Sequence, residues 1–144
     1  MKCGIGDEKF SLRILHCAFR IDVMIRGLGT DIVEIARVEK ACRRESFKTF
    51  VFTEIEQAYC ESRGKNSAAS YAARFAAKEA FFKASGTGIF TRPADVEVVR
   101  SERGHPEIFL HGKAKTVAHE RGVTKISVSL SHSREFATAV CVLE

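Results

Sequence analysis

The hydrophobic and polar positions of this 144-residue chain repeat with different periods, and each period predicts a type of element. Residues 25–35 are rich in β-branched side chains and predict a strand. Residues 35–44 place apolar side chains at helical spacing and predict a helix, and the aromatic stretch at 47–52 is expected to be a connecting segment. Thr53 and Glu56 have the spacing of a capping box, which predicts that a second helix begins there.

The longest predicted helix spans residues 68–85. It is rich in alanine, contains neither Pro nor Gly, and stops before Gly86. Apolar residues surround it on all sides, so we expect it to be buried. Two strand-like runs follow at 95–100 and 106–111. A turn-prone segment joins them, and together they predict a hairpin.

The C-terminal third predicts one more helix and two more strands. The helix covers residues 114–121 and ends at Gly122. Residues 125–131 alternate with period two, so serines should line one face of that strand. Residues 136–143 are nearly all apolar, and we expect a strand that is buried on both faces. The order β-ααα-ββ-α-ββ predicts an α+β fold.

Composition and charge narrow the class of protein. Hydrophobic residues make up 45% and charged residues 28%, the balance of an ordinary globular domain. The net charge of +5 favours an acidic partner: nucleic acid, an anionic membrane surface, a phosphorylated metabolite or an acidic protein. The five cysteines form no CxxC pair, which is typical of reduced, intracellular thiols. No apolar run approaches the roughly 20 residues of a membrane span.

The first 23 residues differ from the rest, since Met24 opens a segment that resembles a fresh start of the chain. We therefore divide the sequence into an N-terminal extension of unknown role, 1–23, and a single functional domain, 24–144. Basic and apolar residues at 11–23 would suit a weak targeting helix, but Asp22 and two acidic residues upstream oppose it. An upstream start or an accessory extension is the preferred interpretation.

The long helix carries the first group of candidate functional residues. At 100° per residue, Glu79 and Lys83 share one stripe, while Arg74, Lys78 and Ser85 share another. Charged residues on so apolar a helix should line a cleft or an interface. The alternative for Glu79 and Lys83 is an exposed ion pair of little energetic consequence.

Two further groups could take part in chemistry. Asp31 follows two glycines on the first strand, where a carboxylate could bind Mg²⁺, although a turn or cap would also use it. His132 lies between serines at the end of a strand and could bind phosphate or serve the structure alone. A triad of Ser131, His132 and Asp31 is disfavoured, because the chain has no GxSxG elbow.

Three blocks of the sequence, in this order, resemble the holo-[acyl-carrier-protein] synthase family of small trimeric 4′-phosphopantetheinyl transferases. They are GLGTDIVEIAR at 27–37, RFAAKEAFFK at 74–83 followed by Gly86-Thr-Gly88, and VSLSH at 128–132. The resemblance runs from about residue 24 to residue 144. It implies the 4′-phosphopantetheinyl transferase fold, in which an antiparallel sheet packs against a long central helix.

The resemblance also implies a role for each matched site residue. Asp31 and Glu79 correspond to the metal-binding carboxylates, and Lys83 corresponds to the lysine close to the reacting phosphate. These three are the expected catalytic residues. The positions that correspond to coenzyme A contacts are Arg74, Lys78, Lys83 and His132.

The implied activity is transfer of the 4′-phosphopantetheine group of coenzyme A to a serine of an apo acyl carrier protein, with release of adenosine 3′,5′-bisphosphate, in fatty acid biosynthesis. Mg²⁺ is the implied cofactor, and Mn²⁺ would also accept the same oxygen ligands. The resemblance further implies a cytoplasmic homotrimer with active sites at subunit interfaces and no nucleic-acid or membrane partner. Arg37, Arg43 and Arg44 on the first helix are the expected contacts for the acidic carrier protein.

Two alternatives from other functional classes stay open. One is a non-catalytic basic module that binds RNA or an acidic protein. It would need exposed aromatic residues among the basic ones, whereas most phenylalanines here occupy core-like positions. The other is a metal-dependent phosphate-ester hydrolase that uses the same carboxylates.

Overall fold

The computed structural model describes residues 24–144, so the N-terminal extension at 1–23 lies outside the described residues. The elements are β1 (Gly27–Glu34), α1 (Ile35–Cys42), α2 (Glu45–Val51), α3 (Glu54–Ser62), α4 (Ser67–Ser85), β2 (Val96–Arg100), β3 (Pro106–Leu110), α5 (Gly112–Glu120), β4 (Ile126–His132) and β5 (Phe136–Leu143). This is the predicted α+β order with one additional helix. Over residues 24–144, no helix is both long enough and apolar enough to cross a membrane.

The additional helix is α2, where a connecting segment was expected, so that prediction was wrong. Its first residues have no side-chain cap, and aromatic and β-branched residues are weak helix formers. Tertiary packing stabilises α2, although the helix propensity of its residues is low. Val51 is buried, and the ring of Phe47 lies 6.2 Å from that of Phe75 on α4.

Two predicted helix boundaries are confirmed by their hydrogen bonds and dihedral angles. The Thr53 hydroxyl accepts from the Glu56 amide, and the Glu56 carboxylate accepts from the Thr53 amide, which completes the capping box. The long helix α4 ends at Gly86, whose φ of 66° is left-handed and therefore suits glycine.

The strands form two antiparallel sheets. The larger has the order β1-β5-β4, with Asp31 opposite Ala139 and Ala139 opposite Leu130. The smaller is the predicted β2-β3 hairpin. One face of the larger sheet packs on α4, so the predicted arrangement of a sheet on a long central helix is confirmed.

Two glycines let β1 lie directly on the backbone of α4. A Cβ atom on Gly27 would come within 2.0 Å of the Ala84 carbonyl oxygen, and one on Gly29 within 2.0 Å of the Ala80 carbonyl oxygen. Only glycine fits at both strand positions, and small residues face them on the helix. Asp31, two residues beyond Gly29, points from the same face of β1 toward α4.

The central strand β5 is buried on one face only, so the prediction of burial on both faces was wrong for the single chain. Its inner residues, from Ala137 to Leu143, are buried. On the other side an apolar surface faces outward. Its members, which we call the outer sheet face, are Leu28, Ile32, Phe136 and Val140, and their side chains are 40–67% exposed.

The described cysteines agree with the prediction of reduced thiols, since Cys42, Cys60 and Cys141 are all free. Burial raises the pKa of the Cys60 and Cys141 thiols to about 12. Thiols with such pKa values are poor nucleophiles, and both side chains are packed in the core.

Candidate active site

Two carboxylates, Asp31 on β1 and Glu79 on α4, lie close enough for the charge of Asp31 to affect the ionisation of Glu79. The pKa of Glu79 is raised, mainly by burial and then by the negative charge of Asp31, while Lys83 and Arg37 oppose this shift. A buried acid whose pKa is raised by a neighbouring carboxylate is typical of a site built to hold a positive charge.

Lys83 lies beside this pair and binds Asp31. Its Nζ is 2.7 Å from Asp31 Oδ1 and donates to the Thr30 carbonyl oxygen at 3.0 Å. Glu79 and Lys83, which were expected to share one stripe of α4, therefore face the same site. The ion pair that Lys83 forms is with Asp31, where the sequence had suggested Glu79. The Lys83 side chain is 55% exposed, so it can leave this position at little cost.

The second carboxylate oxygen of Asp31, Oδ2, is buried and has no hydrogen-bond partner among residues 24–144. A buried carboxylate oxygen normally has a donor or a cation. Within the same range, no three His, Cys, Asp or Glu residues are grouped to hold a metal by themselves. A two-carboxylate donor set suits Mg²⁺, which takes few protein ligands and completes its shell with phosphate and water.

A cavity of about 480 Å³ opens beside the N-terminal half of α4. We call it the basic cavity. Its polar and charged lining residues are Tyr59, Arg63, Asn66, Ser70, Arg74, Arg100, His105, Ser129 and His132. Three arginines and two histidines in one concave surface predict an anionic ligand.

Arg74 and Arg100 are held in the basic cavity by defined contacts. The Arg74 guanidinium lies 4.1 Å from the centre of the Tyr59 ring, and its Nε donates to the Val98 carbonyl oxygen at 3.2 Å. Arg100 donates to the Tyr59 hydroxyl at 3.3 Å. Burial by itself would raise the pKa of Tyr59, but this hydrogen bond and the charges of Arg63, Arg74 and Arg100 outweigh it and lower the pKa. The potential in the cavity is therefore positive.

His132 lies at the end of β4, where it lines the basic cavity and is exposed. Side chains alternate along a strand, so His132 and Leu130 share one face while Ser131 is on the other. Asp31 is in register with Leu130, which puts it on the face opposite Ser131. The triad alternative therefore has no geometric support.

Lys78 does not lie where a ligand contact was expected. Its side chain has no exposed surface, and its Nζ donates to Glu56 Oε2 at 2.9 Å and to two backbone carbonyl oxygens. The prediction that Lys78 contacts coenzyme A does not agree with this placement, because all three donors of the ammonium are already used. The separate stripe of Arg74 and Lys78 is confirmed, but only Arg74 reaches a cavity.

The structure also adds residues that the sequence reasoning missed. Tyr59 and Arg63 come from α3 and its C-terminal cap, whereas Arg100 comes from β2, which is distant in sequence and meets α3 only in the fold. The one available signal was the predicted hairpin, which carries Arg100 at the end of its first strand.

Comparison with known proteins agrees with this fold. The model of the 4′-phosphopantetheinyl transferase superfamily matches residues 27–141. The holo-[acyl-carrier-protein] synthase of Ruminiclostridium cellulolyticum is 48% identical over 122 residues, which cover 81% of this chain and 90% of that protein.

Two solved structures show the same architecture. The holo-[acyl-carrier-protein] synthase of Neisseria meningitidis has a TM-score of 0.77 at 33% identity and covers 84% of this chain and 99% of its own. The synthase of Bacillus anthracis, solved in complex with coenzyme A (3′,5′-ADP), has a TM-score of 0.69 at 36% identity over 83% of this chain and 96% of its own. The chain belongs to the 4′-phosphopantetheinyl transferase superfamily and, within it, to the holo-[acyl-carrier-protein] synthase family.

Proposed function

We propose that this protein transfers 4′-phosphopantetheine from coenzyme A to a serine of an apo acyl carrier protein and releases adenosine 3′,5′-bisphosphate, in fatty acid biosynthesis in the cytoplasm. The observation that carries the proposal is the carboxylate pair of Asp31 and Glu79 beside Lys83. One oxygen of that pair, Asp31 Oδ2, is buried without a partner among residues 24–144. A family relative solved with coenzyme A supports the choice of donor substrate.

In this reaction the carrier serine hydroxyl gives its proton to a base, either Glu79 or a water molecule, and its oxygen forms a bond to the phosphorus on the pantetheine side of the pyrophosphate. The bond from that phosphorus to the bridging oxygen breaks, and the nucleotide leaves with the electron pair. Positioning and charge stabilisation supply most of the rate in such transfers. Lys83 can release Asp31 and turn its ammonium toward the charge that grows on the leaving oxygen.

Asp31 and Glu79 are the residues that would hold Mg²⁺, or Mn²⁺, which accepts the same ligands. The bound cation would neutralise charge on the pyrophosphate oxygens. Asp31 and Glu79 both carry negative charge when ionised. Without a metal ion they would therefore repel the pyrophosphate of coenzyme A. We therefore expect binding of coenzyme A at this site to depend on the metal.

The nucleotide end of coenzyme A fits the basic cavity. Arg74, Arg100 and His132 offer donors to its phosphates, and Tyr59 adds an aromatic face. Arg63 widens the positive surface at the rim. This assignment keeps Arg74 and His132 as ligand contacts and omits Lys78, whose ammonium is buried and fully bonded.

A homotrimer with active sites at its subunit interfaces accounts for the outer sheet face. Four large apolar side chains stand exposed on one face of a three-stranded sheet, a surface that a second copy would cover. Ile32→Glu should release monomers in analytical ultracentrifugation. A monomeric wild-type protein at micromolar concentration would contradict the trimer.

The acidic carrier protein is expected to bind beside α1. Arg37, Arg43 and Arg44 are exposed there, in a chain of net charge +5. Reversing the charge of Arg43 should raise the KM for the carrier and leave the KM for coenzyme A unchanged. An unchanged carrier KM would exclude this surface.

One experiment tests the activity itself. The protein is mixed with coenzyme A, Mg²⁺ and an apo carrier protein, and the carrier is weighed by mass spectrometry. A gain equal to one phosphopantetheine group confirms transfer. No gain with several carriers would reject the transferase and leave the hydrolase or the binding module, which phosphate release and RNA binding would tell apart.

A further inference from the structure

The buried ion pair of Lys78 and Glu56 joins four segments of the fold. Neither side chain has any exposed surface. Lys78 Nζ on α4 donates to Glu56 Oε2 at 2.9 Å, to the Pro93 carbonyl oxygen at 3.1 Å and to the Val96 carbonyl oxygen at 2.5 Å. The ammonium therefore connects α4 to the first turn of α3, to the turn at Pro93–Asp95 and to β2.

Both carboxylate oxygens of Glu56 also accept hydrogen bonds from the backbone. Oε2 accepts from the Thr53 amide at 2.8 Å in the capping box, and Oε1 accepts from the Val98 amide at 2.9 Å. A residue that the sequence marks only as a helix cap thus also bonds to the middle of β2.

Together with Arg74, this pair occupies the free edge of β2. The strand pairs with β3 along one edge only. On its other edge the Val96 carbonyl, the Val98 amide and the Val98 carbonyl are bonded by Lys78, Glu56 and Arg74, respectively. Three charged side chains therefore take the place of a neighbouring strand and fix how far β2 lies along α4.

The register of β2 matters because the strand leads straight into the basic cavity. Val99 and Arg100 follow the bonded residues and line that cavity together with Arg74. Only Val99 separates Val98 from Arg100, so a shift of the strand would move the Arg100 guanidinium relative to that of Arg74.

We propose that Lys78 and Glu56 are positioning residues, which set the distance between the Arg74 and Arg100 sides of the basic cavity and thereby its affinity for the phosphates of coenzyme A. The inference rests on the proposed function of that cavity. Lys78 acts through β2 and does not touch the ligand.

A purely stabilising role explains this arrangement less well. Buried ion pairs are an inefficient source of stability, since their desolvation offsets the attraction between the charges. Burial lowers the pKa of Lys78, with Glu56 opposing, so holding a charge here carries an electrostatic cost. The directional bonds of the pair to the Val96 carbonyl and the Val98 amide do provide a unique register of β2, which an apolar pair of the same volume would not.

The test compares Lys78→Met with Val38→Ala in the full-length protein. Val38 is a buried residue of α1 outside the site, so its variant supplies a loss of stability with no change in β2. Coenzyme A is titrated calorimetrically with Mg²⁺ present, and kcat and KM are measured for coenzyme A. For Lys78→Met we expect the Kd and KM for coenzyme A to rise about tenfold, with kcat at saturation nearly unchanged. Val38→Ala should leave both constants as in the wild type.

A KM for Lys78→Met equal to that of Val38→Ala would overturn the inference. Should Lys78→Met fail to fold, Glu56→Gln decides, since it loses the anion and keeps the side-chain volume. Its KM should rise and its Val98 amide should exchange with solvent faster, whereas a wild-type KM would overturn the inference. A wild-type protein that binds no coenzyme A would instead reject the proposed function.

Discussion

Lys83 Nζ lies 2.7 Å from Asp31 Oδ1, so the lysine proposed to act on the leaving nucleotide is bonded to a carboxylate proposed to hold the metal. The two residues are 52 positions apart and meet because β1 lies directly on α4. Lys83 is half-exposed and Asp31 nearly buried. The lysine can therefore exchange this partner for phosphate, while the aspartate stays in place.

This contact predicts opposite effects of Lys83→Met on metal binding and on transfer. Loss of the ammonium should lower kcat/KM by about 10²–10³-fold, as for other single donors that stabilise developing charge. Mn²⁺ binding without coenzyme A should become tighter, because Asp31 Oδ1 is released. Electron paramagnetic resonance of free Mn²⁺ measures the second effect, with Lys83→Arg as the charge-preserving control. Weaker Mn²⁺ binding in Lys83→Met would contradict this account of the pair.

The raised pKa of Glu79 predicts that Glu79→Gln is more stable than the wild type without metal at neutral pH. A carboxyl group whose pKa is higher in the folded state stabilises the fold at low pH, and that contribution is lost as the pH rises through the shifted pKa. Near neutral pH the ionised Glu79 therefore lowers the free energy of unfolding of the wild type. Glutamine carries no charge at this position, so the variant avoids that loss.

Melting temperatures in EDTA at neutral pH and near pH 4 check this prediction. The advantage of Glu79→Gln should shrink at the lower pH, because both folded and unfolded wild-type chains then bind the proton. Glu39→Gln, at an exposed position on α1, controls for the chemical change. A variant less stable than the wild type at neutral pH would contradict the raised pKa of Glu79.

The contact of β1 with α4 predicts a large effect of Gly29→Ala. The added methyl group would come within 2.0 Å of the Ala80 carbonyl oxygen, and both partners are backbone. We expect a loss of more than about 4 kcal/mol in the free energy of unfolding, or no folded protein.

Gly88→Ala is the matched control for that substitution. Gly88 has a left-handed φ of 65° but open space around it, so the expected cost is about 1–2 kcal/mol from the dihedral angles alone. Urea unfolding measures both variants. Similar losses in the two would show that steric contact with α4 does not govern the Gly29 position.

Local signals in the sequence were enough for most of the fold. The glycine stop at Gly86, the capping box at Thr53 and the period of β4 each predicted an element that the structure confirms. Helix α2 was missed because packing on Phe75 holds it, and packing partners distant in sequence leave no local pattern.

The candidate site was predictable only in part for the same reason. Helical spacing correctly separated the stripe of Glu79 and Lys83 from that of Arg74 and Lys78. Helical spacing shows on which side of a helix a residue lies, but it does not show how deeply the side chain is buried. It therefore could not show that Lys78 is bonded to Glu56 in the core while Arg74 reaches a cavity. Arg100 was missed because β2 meets α4 only in the folded chain.

Removal of residues 1–23 is predicted to leave transfer activity and oligomeric state unchanged. The family match begins at Gly27, and every residue of the proposed site lies beyond it. Analytical ultracentrifugation and the carrier mass assay on the 24–144 protein check this. Loss of the trimer on truncation would show that the extension is structural.

The central claim, that Asp31 and Glu79 form the catalytic centre of a phosphopantetheinyl transferase, is tested most directly by weighing the carrier protein after reaction with Glu79→Gln. Wild-type protein with coenzyme A and Mg²⁺ should add one phosphopantetheine group to an apo carrier. Glu79→Gln, folded by circular dichroism, should add none in the same time. Full conversion by Glu79→Gln at saturating Mg²⁺ would contradict the account.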